Sequence, residues 1–127
     1  MPGNKNALAR TTIVSAGDMS QATVTSSVGK IEFLDNIGIQ VNITAGTPSG
    51  AFDVQVSADH TEDNLGNVTN AGNWISLGST YTSTITSGSP SNVYFDLYGL
   101  SSLFIRLLYT KSSGTGTFNA YLVGKSI

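Results

Sequence analysis

The chain contains no cysteine. That absence excludes disulfide staples, thiolate-bound zinc and a thiol nucleophile. Charge is scarce too. Asp, Glu, Lys and Arg make up 11% of the 127 residues, against ~25% in an ordinary soluble domain. Six residues are Lys or Arg, and the formal net charge is −2. These cations are scattered, so no basic patch tracks the phosphates of a nucleic acid. No apolar run approaches the roughly 20 residues of a membrane helix, and neither nucleic acid nor membrane is the expected partner. The opening Met1-Pro2-Gly3-Asn4-Lys5-Asn6-Ala7 lacks the apolar segment of a secretory signal, which places the expected synthesis in the cytoplasm. Asn42-Ile43-Thr44 and Asn67-Val68-Thr69 match the glycosylation acceptor pattern; the abundance of Asn and Thr explains both.

Neutral polar residues stand where charges usually do. Hydrophobic content is 39%, too high for a disordered chain. Ser, Thr and Asn on strand faces, with Gly at turns, suit β-structure and fit helices poorly. The hydrophobic period is two. Ile37, Ile39, Val41 and Ile43 alternate with Gly38, Gln40, Asn42 and Thr44. Phe52, Val54, Val56 and Ala58 alternate with Asp53, Gln55, Ser57 and Asp59, and Val93, Phe95 and Leu97 with Tyr94, Asp96 and Tyr98. Such alternation sends one set into a core and the other toward solvent. Leu103 to Tyr109 is apolar on both faces except at Arg106, which predicts a central strand covered on both sides or facing a partner. Phe118, Ala120 and Leu122 form a closing strand.

Turn signals separate these runs. Gly29-Lys30 reads as a two-residue hairpin turn between Val24/Val28 and Ile31/Phe33. Gly46 to Gly50 reads as a hairpin loop, and Lys111 to Gly116 as a flexible turn. Asp59 to Asn73 is the longest irregular stretch, and loops of that length often carry function. Residues 1–10 are polar and read as a flexible arm, with residues 11–127 as one domain. About eight strands with regular turn signals predict an all-β, two-layer antiparallel sandwich, jelly-roll-like, with an immunoglobulin-like order as the alternative.

No catalytic signature emerges, and the chain is expected not to be an enzyme and to need no cofactor. Gly99-Leu100-Ser101-Ser102-Leu103 lacks the second glycine of a nucleophile elbow. The single histidine, His60, lies in a polar loop and reads as solvated. Asp59, Glu62 and Asp63 concentrate oxygen ligands near His60, but their spacing departs from the EF-hand pattern. They are a weak calcium alternative to a solvated acidic loop. Gly114-Thr115-Gly116 lacks the third glycine and the following helix of a phosphate loop. Acidic residues on the strands cannot be paired at a hydrolytic distance from sequence.

Aromatic residues remain as candidate contacts. Tyr94 and Tyr98 fall on the solvent register of their strand beside Asp96. An exposed tyrosine pair on a Ser/Thr surface points to a binding role. Trp74, next to Ile75 and Leu77, reads as a core or core-edge residue. Arg106 needs a partner inside its apolar strand, and Asp96 is the expected one, with an intersubunit contact as the alternative.

The stretch from Val93 to Ile127, with Tyr94-Phe95-Asp96-Leu97, Phe104-Ile105-Arg106 and Gly114-Thr115-Gly116-Thr117-Phe118, resembles small virion structural proteins of tailed bacteriophages, capsid decoration (cement) proteins among them. The resemblance implies a β-domain located in the virion. It would coat an assembled head as a homo-oligomer, often a trimer, and bind the major capsid protein or other virion proteins. The anchors expected for such association are Phe104, Leu108 and Tyr121, with Leu8 and Arg10 in the arm. The alternative is a carbohydrate-binding β-sandwich domain of a phage tail or fibre, using exposed aromatics.

Overall fold

The structure, a computed structural model, describes residues 7–31, 34, 36–98 and 104–125. Among them twelve strands follow in order: β1 (Ala7–Asp18), β2 (Thr23–Thr25), β3 (Gly29–Lys30), β4 (Asn36–Gly46), β5 (Ser49–Ser57), β6 (Thr61–Glu62), β7 (Val68–Asn70), β8 (Ile75–Ser76), β9 (Thr82–Ile85), β10 (Asn92–Tyr98), β11 (Phe104–Ser113) and β12 (Gly116–Lys125). One turn of 3₁₀ helix, Ser79–Tyr81, precedes β9. No helix among the described residues is long and apolar enough to cross a membrane.

The pairing is nested. The first strand pairs with the last, β2 and β3 with β11, β4 with β10, and β5 with β8 and β9. All these pairs are antiparallel, as though one long two-stranded ribbon had been rolled up. Two further pairings, β12 with β4 and β11 with β5, close the roll. The result is a four-stranded sheet, β1-β12-β4-β10, and a six-stranded sheet built on β2-β11-β5-β8. This winding is a jelly roll, and the immunoglobulin-like alternative is set aside.

The period-two pattern explains which residues fill the space between the sheets. Ile37, Ile39, Val41, Phe95, Leu97, Phe118, Ala120 and Leu122 point inward from the four-stranded sheet. Phe52, Val54, Ile105, Leu107 and Tyr109 meet them from the other. Phe52 lies at the centre of an aromatic cluster, with ring centroids 4.9 Å from Tyr109 and 5.1 Å from Phe118. The Tyr109 hydroxyl donates to the Ser49 carbonyl oxygen at 3.2 Å, so its polar end is satisfied although the ring is buried.

Four expectations need correction. Ala7 to Arg10, assigned to a flexible arm, begin β1 and pair with the end of β12; residues 1–6 lie outside the described residues. Gly29-Lys30 is not a hairpin turn. It forms β3, which continues β2 along the same neighbour, β11, after a one-residue shift in register. Ser26 fills the break: its Oγ accepts the Leu107 N–H at 2.8 Å, and its own N–H donates to the Leu107 carbonyl. Gly46 to Gly50 is not a hairpin loop either, because β4 and β5 belong to opposite sheets. The turn signal there is real, but it carries the chain across the sandwich.

The fourth correction concerns Arg106. Asp96 points out of the four-stranded sheet and Arg106 out of the six-stranded one, with the whole core between them. They cannot pair. Arg106 Nε instead donates to Gln55 Oε1 at 2.8 Å, and its guanidinium lies 4.4 Å from the Trp74 ring centroid. That supports the expectation of a strand covered on both faces, since chain from the 59–74 segment lies over β11.

Candidate binding face

Two surfaces gather the side chains capable of contact. The first is the outer face of the four-stranded sheet. Register fixes its layout, because residues directly opposite in antiparallel strands share a face. Tyr94 on β10 stands opposite Gln40 on β4, which stands opposite Tyr121 on β12. One row further along, Asp96, Gly38 and Val123 are aligned. On the other side Asn92, Asn42 and Asn119 form a row of three amides. The two tyrosines are separated by one strand, roughly 10 Å at the usual strand spacing.

Local features shape this grid. A Cβ at Gly38 would collide with the Tyr94 hydroxyl, so the glycine lets that ring lie down across β4. Tyr94 is nevertheless 55% exposed, one of the most exposed large apolar side chains described. Arg10 on β1 stacks its guanidinium 5.1 Å from the Tyr121 ring centroid, a cation–π contact that steadies both. Gln40 Nε2 donates to Asn42 Oδ1 at 3.1 Å. Open depressions flank Tyr94, one lined by Gly38, Asp96, Val123 and Lys125, another by Arg10, Gln40, Tyr121 and Val123. With Arg10, Lys125 and Asp96 as its charges, the face has a weak net field. Contact here would come from rings and amides, as in a partner interface with a polar rim.

The second surface is the segment between β5 and β8, which folds back over the outer face of the six-stranded sheet. Three carboxylates hold it. Asp59 Oδ1 accepts the Asn73 N–H at 2.7 Å and the Ser57 hydroxyl at 2.9 Å. Asp63 Oδ1 accepts the N–H groups of Leu65 and Asn67 at 2.8 and 2.9 Å. These donors hold both carboxyls below the ordinary carboxylate range, the Asn73 amide being the main cause for Asp59 and the Asn67 amide for Asp63. Glu62 Oε2 bonds His60 Nε2 at 2.8 Å. The three carboxylates therefore clasp their own loop instead of converging, and no group of three acidic or histidine side chains among the described residues could hold a metal ion.

Reading His60 as solvated is overturned. It is 3% exposed, with its ring 4.7 Å from Phe104 and 5.5 Å from Trp74, centroid to centroid. Sequence gives little sign of this, because the neighbours of His60 along the chain are polar and its apolar contacts come from β11 and from fourteen residues downstream. Phe104, an expected interface anchor, lies beneath it at 6% exposure and is covered by the chain itself. Leu108 is half-buried on the same outer face, opposite Asp53 and Thr25. Of the remaining expected contacts, Arg10, Tyr94 and Tyr121 come together on the four-stranded sheet, whereas the side chains of Leu8 and Tyr98 lie outside the described residues. Sequence reasoning passed over Leu65 and Val68 on the folded-back segment and Ile75 on β8, which are exposed at 86%, 57% and 62%. Apolar residues set among Asp, Asn, Gly and Thr were the available signal.

The carboxylate clasps have a sign that can be tested. A carboxyl whose folded pKa is depressed favours the fold above its unfolded pKa, and that contribution disappears as pH falls through the folded value. Resistance to proteolytic nicking between Glu62 and Val68 is therefore expected to be full at pH 5 and to be lost once the pH is taken well below the ordinary Asp value, about 3.9. Asp63→Ala is expected to produce the nicked pattern at pH 7, with the β-sandwich intact. Equal cleavage of wild type at both pH values would contradict this account of the loop.

The architecture and its two decorated faces define the class as a two-sheet jelly-roll domain. Neither a protein-family model nor a curated protein matches the chain. Among solved structures, the chain is similar to the crystal structure of the SPBc2 prophage-derived protein YomS, with a TM-score of 0.54, 9% identity and 97% of each chain covered. At that identity the likeness is one of fold.

Proposed function

We propose that the chain is a non-enzymatic virion structural protein of a tailed phage that decorates and stabilises the capsid, with the outer face of the four-stranded sheet turned to its partner. The observation that carries this reading is the grid around Tyr94, Gln40 and Tyr121 on a rigid sheet. It offers aromatic anchors and amides with little net charge, which suits a repeated, modest interface with a capsid protein. Low charge density also lets many copies crowd together without strong repulsion. Support for a phage origin comes from the full-length likeness of the fold to a prophage-derived protein.

One observation favours a second reading, a carbohydrate-binding domain of a tail or fibre. The amides of Asn42, Asn92 and Asn119 share a face with an exposed tyrosine, and amides beside a ring can engage sugar hydroxyls while the ring stacks. Cosedimentation with assembled, expanded phage shells separates the two. Saturable binding with many copies per particle is the expected result. Absence of binding to shells, together with binding to neutral glycans on an array, would move the face to the second reading.

A further inference from the structure

We propose that His60 is a proton-held latch that fastens the 59–74 segment onto the outer face of the six-stranded sheet, so that raising the pH loosens this cover from β11.

The geometry carries the argument. Both ring nitrogens of His60 face acceptors. Nδ1 lies 3.0 Å from the Ala71 carbonyl oxygen, and Nε2 lies 2.8 Å from Glu62 Oε2. A carbonyl and a carboxylate can only accept. A neutral imidazole carries one N–H and one lone pair, so it satisfies one of these contacts and turns its lone pair toward the other. Imidazolium has two N–H donors and satisfies both. The bond to Glu62 also joins opposite charges, with the imidazole buried and the carboxylate partly exposed, and a charge-assisted bond is stronger than a neutral one.

The latch joins separate parts of the chain. His60 follows β5, Glu62 lies on β6, and Ala71 follows β7. The His60 ring rests on Phe104 of β11 and beside Trp74. Trp74 Nε1 donates to the same Ala71 carbonyl at 3.2 Å, and its ring carries the guanidinium of Arg106. Loss of the His60 proton therefore weakens the attachment of the whole cover, which ends at Trp74. Phe104, an expected anchor, and Trp74, a core-edge residue by sequence, lie at its inner side.

The charged groups around the ring act in both directions. Glu62 is the main cause raising the affinity of His60 for its proton. Burial opposes it, the Ala71 carbonyl adds to it, and the Arg106 charge from β11 opposes it. The carboxylate of Asp59 is committed to Ser57 and Asn73. The balance is upward. A histidine with a raised folded pKa stabilises its attachment fully below the unfolded value, about 6.5. That contribution fades as pH rises through the folded value.

The test combines an imidazole NMR titration with amide hydrogen exchange between pH 5.5 and 9, corrected for the intrinsic pH dependence of exchange. His60 is expected to titrate above about 6.5. Protection of the Asp63 and Asn73 amides is expected to fall by about tenfold for each unit by which the folded value exceeds it, while core amides such as that of Leu107 stay protected. Glu62→Gln should return the midpoint toward the ordinary value and shrink the pH response. His60→Gln should remove the response. A wild-type midpoint at or below about 6.5 overturns the proposal without reliance on any variant. So does protection of the segment that is flat across this range.

Discussion

Phe52→Ala is expected to destabilise the protein more than any other single truncation. Phe52 is fully buried on β5 and touches aromatic rings from both sheets, Tyr109 beside it and Phe118 opposite. Truncation removes apolar area from the core and leaves a void that flanking strands cannot close, since each is pinned by hydrogen bonds to its neighbours. Comparable truncations of buried Phe cost ~3–5 kcal/mol. A single domain has only about 5–15 kcal/mol in total. Thermal unfolding followed by circular dichroism should show a fall of roughly 10–20 °C for a domain of this size. A change of a few degrees would mean that Phe52 does not join the two layers.

The second large effect concerns the four-stranded sheet. The double substitution Tyr94→Ala/Tyr121→Ala is expected to weaken shell binding by about tenfold to a hundredfold, as loss of aromatic anchors does at other interfaces. Its thermal stability should stay near wild type, because both rings lie outside the core. Gly38→Ala is a finer probe. The atoms nearest the added methyl belong to the Tyr94 ring and hydroxyl, an exposed side chain that can swing away, so the fold is expected to be retained while the ring leaves its place over β4. An intermediate loss of binding is expected. Equal losses for Phe104→Ala and Tyr94→Ala, with both proteins folded, would show that the six-stranded sheet contributes equally.

Much of this architecture is legible in the sequence, and the reason is periodicity. Along β4, β5 and β10 the apolar residues Ile37, Ile39, Val41, Phe52, Val54, Phe95 and Leu97 alternate with outward ones and are buried as the pattern predicts, whereas Ala58, expected in the core, is exposed just beyond β5. Tyr94 reads as exposed from the same alternation. The Leu103 to Tyr109 run reads as covered on both sides because Phe104 and Leu108 break the alternation. What sequence could not show is which strands share a sheet. A glycine-rich turn such as Gly46 to Gly50 permits a hairpin or a crossing between layers with the same residues, and long-range pairing decides between them. The same limit explains Arg106. An apolar strand signals that its lone charge needs a partner, but Gln55 and Trp74 become that partner only through the β5–β11 register and the folded-back segment.

The proposed binding face is partly legible. Alternation placed Tyr94 outside, and Tyr121 and Arg10 were both expected contacts. The meeting of Arg10 on β1 with Tyr121 on β12 requires the pairing of the first strand with the last. The residue most altered by the structure is His60. It has only polar neighbours along the chain, yet it is enclosed by Phe104 and Trp74, which no local pattern could reveal.

The most direct measurement is the amide-exchange footprint of the chain bound to assembled shells, compared with the free protein at the same pH. Slowed exchange along β10 and at the outer rim of β1, with the folded-back 59–74 segment unchanged, is the predicted result. A footprint confined to that segment, or none on the four-stranded sheet, would contradict the assignment of this face to the partner.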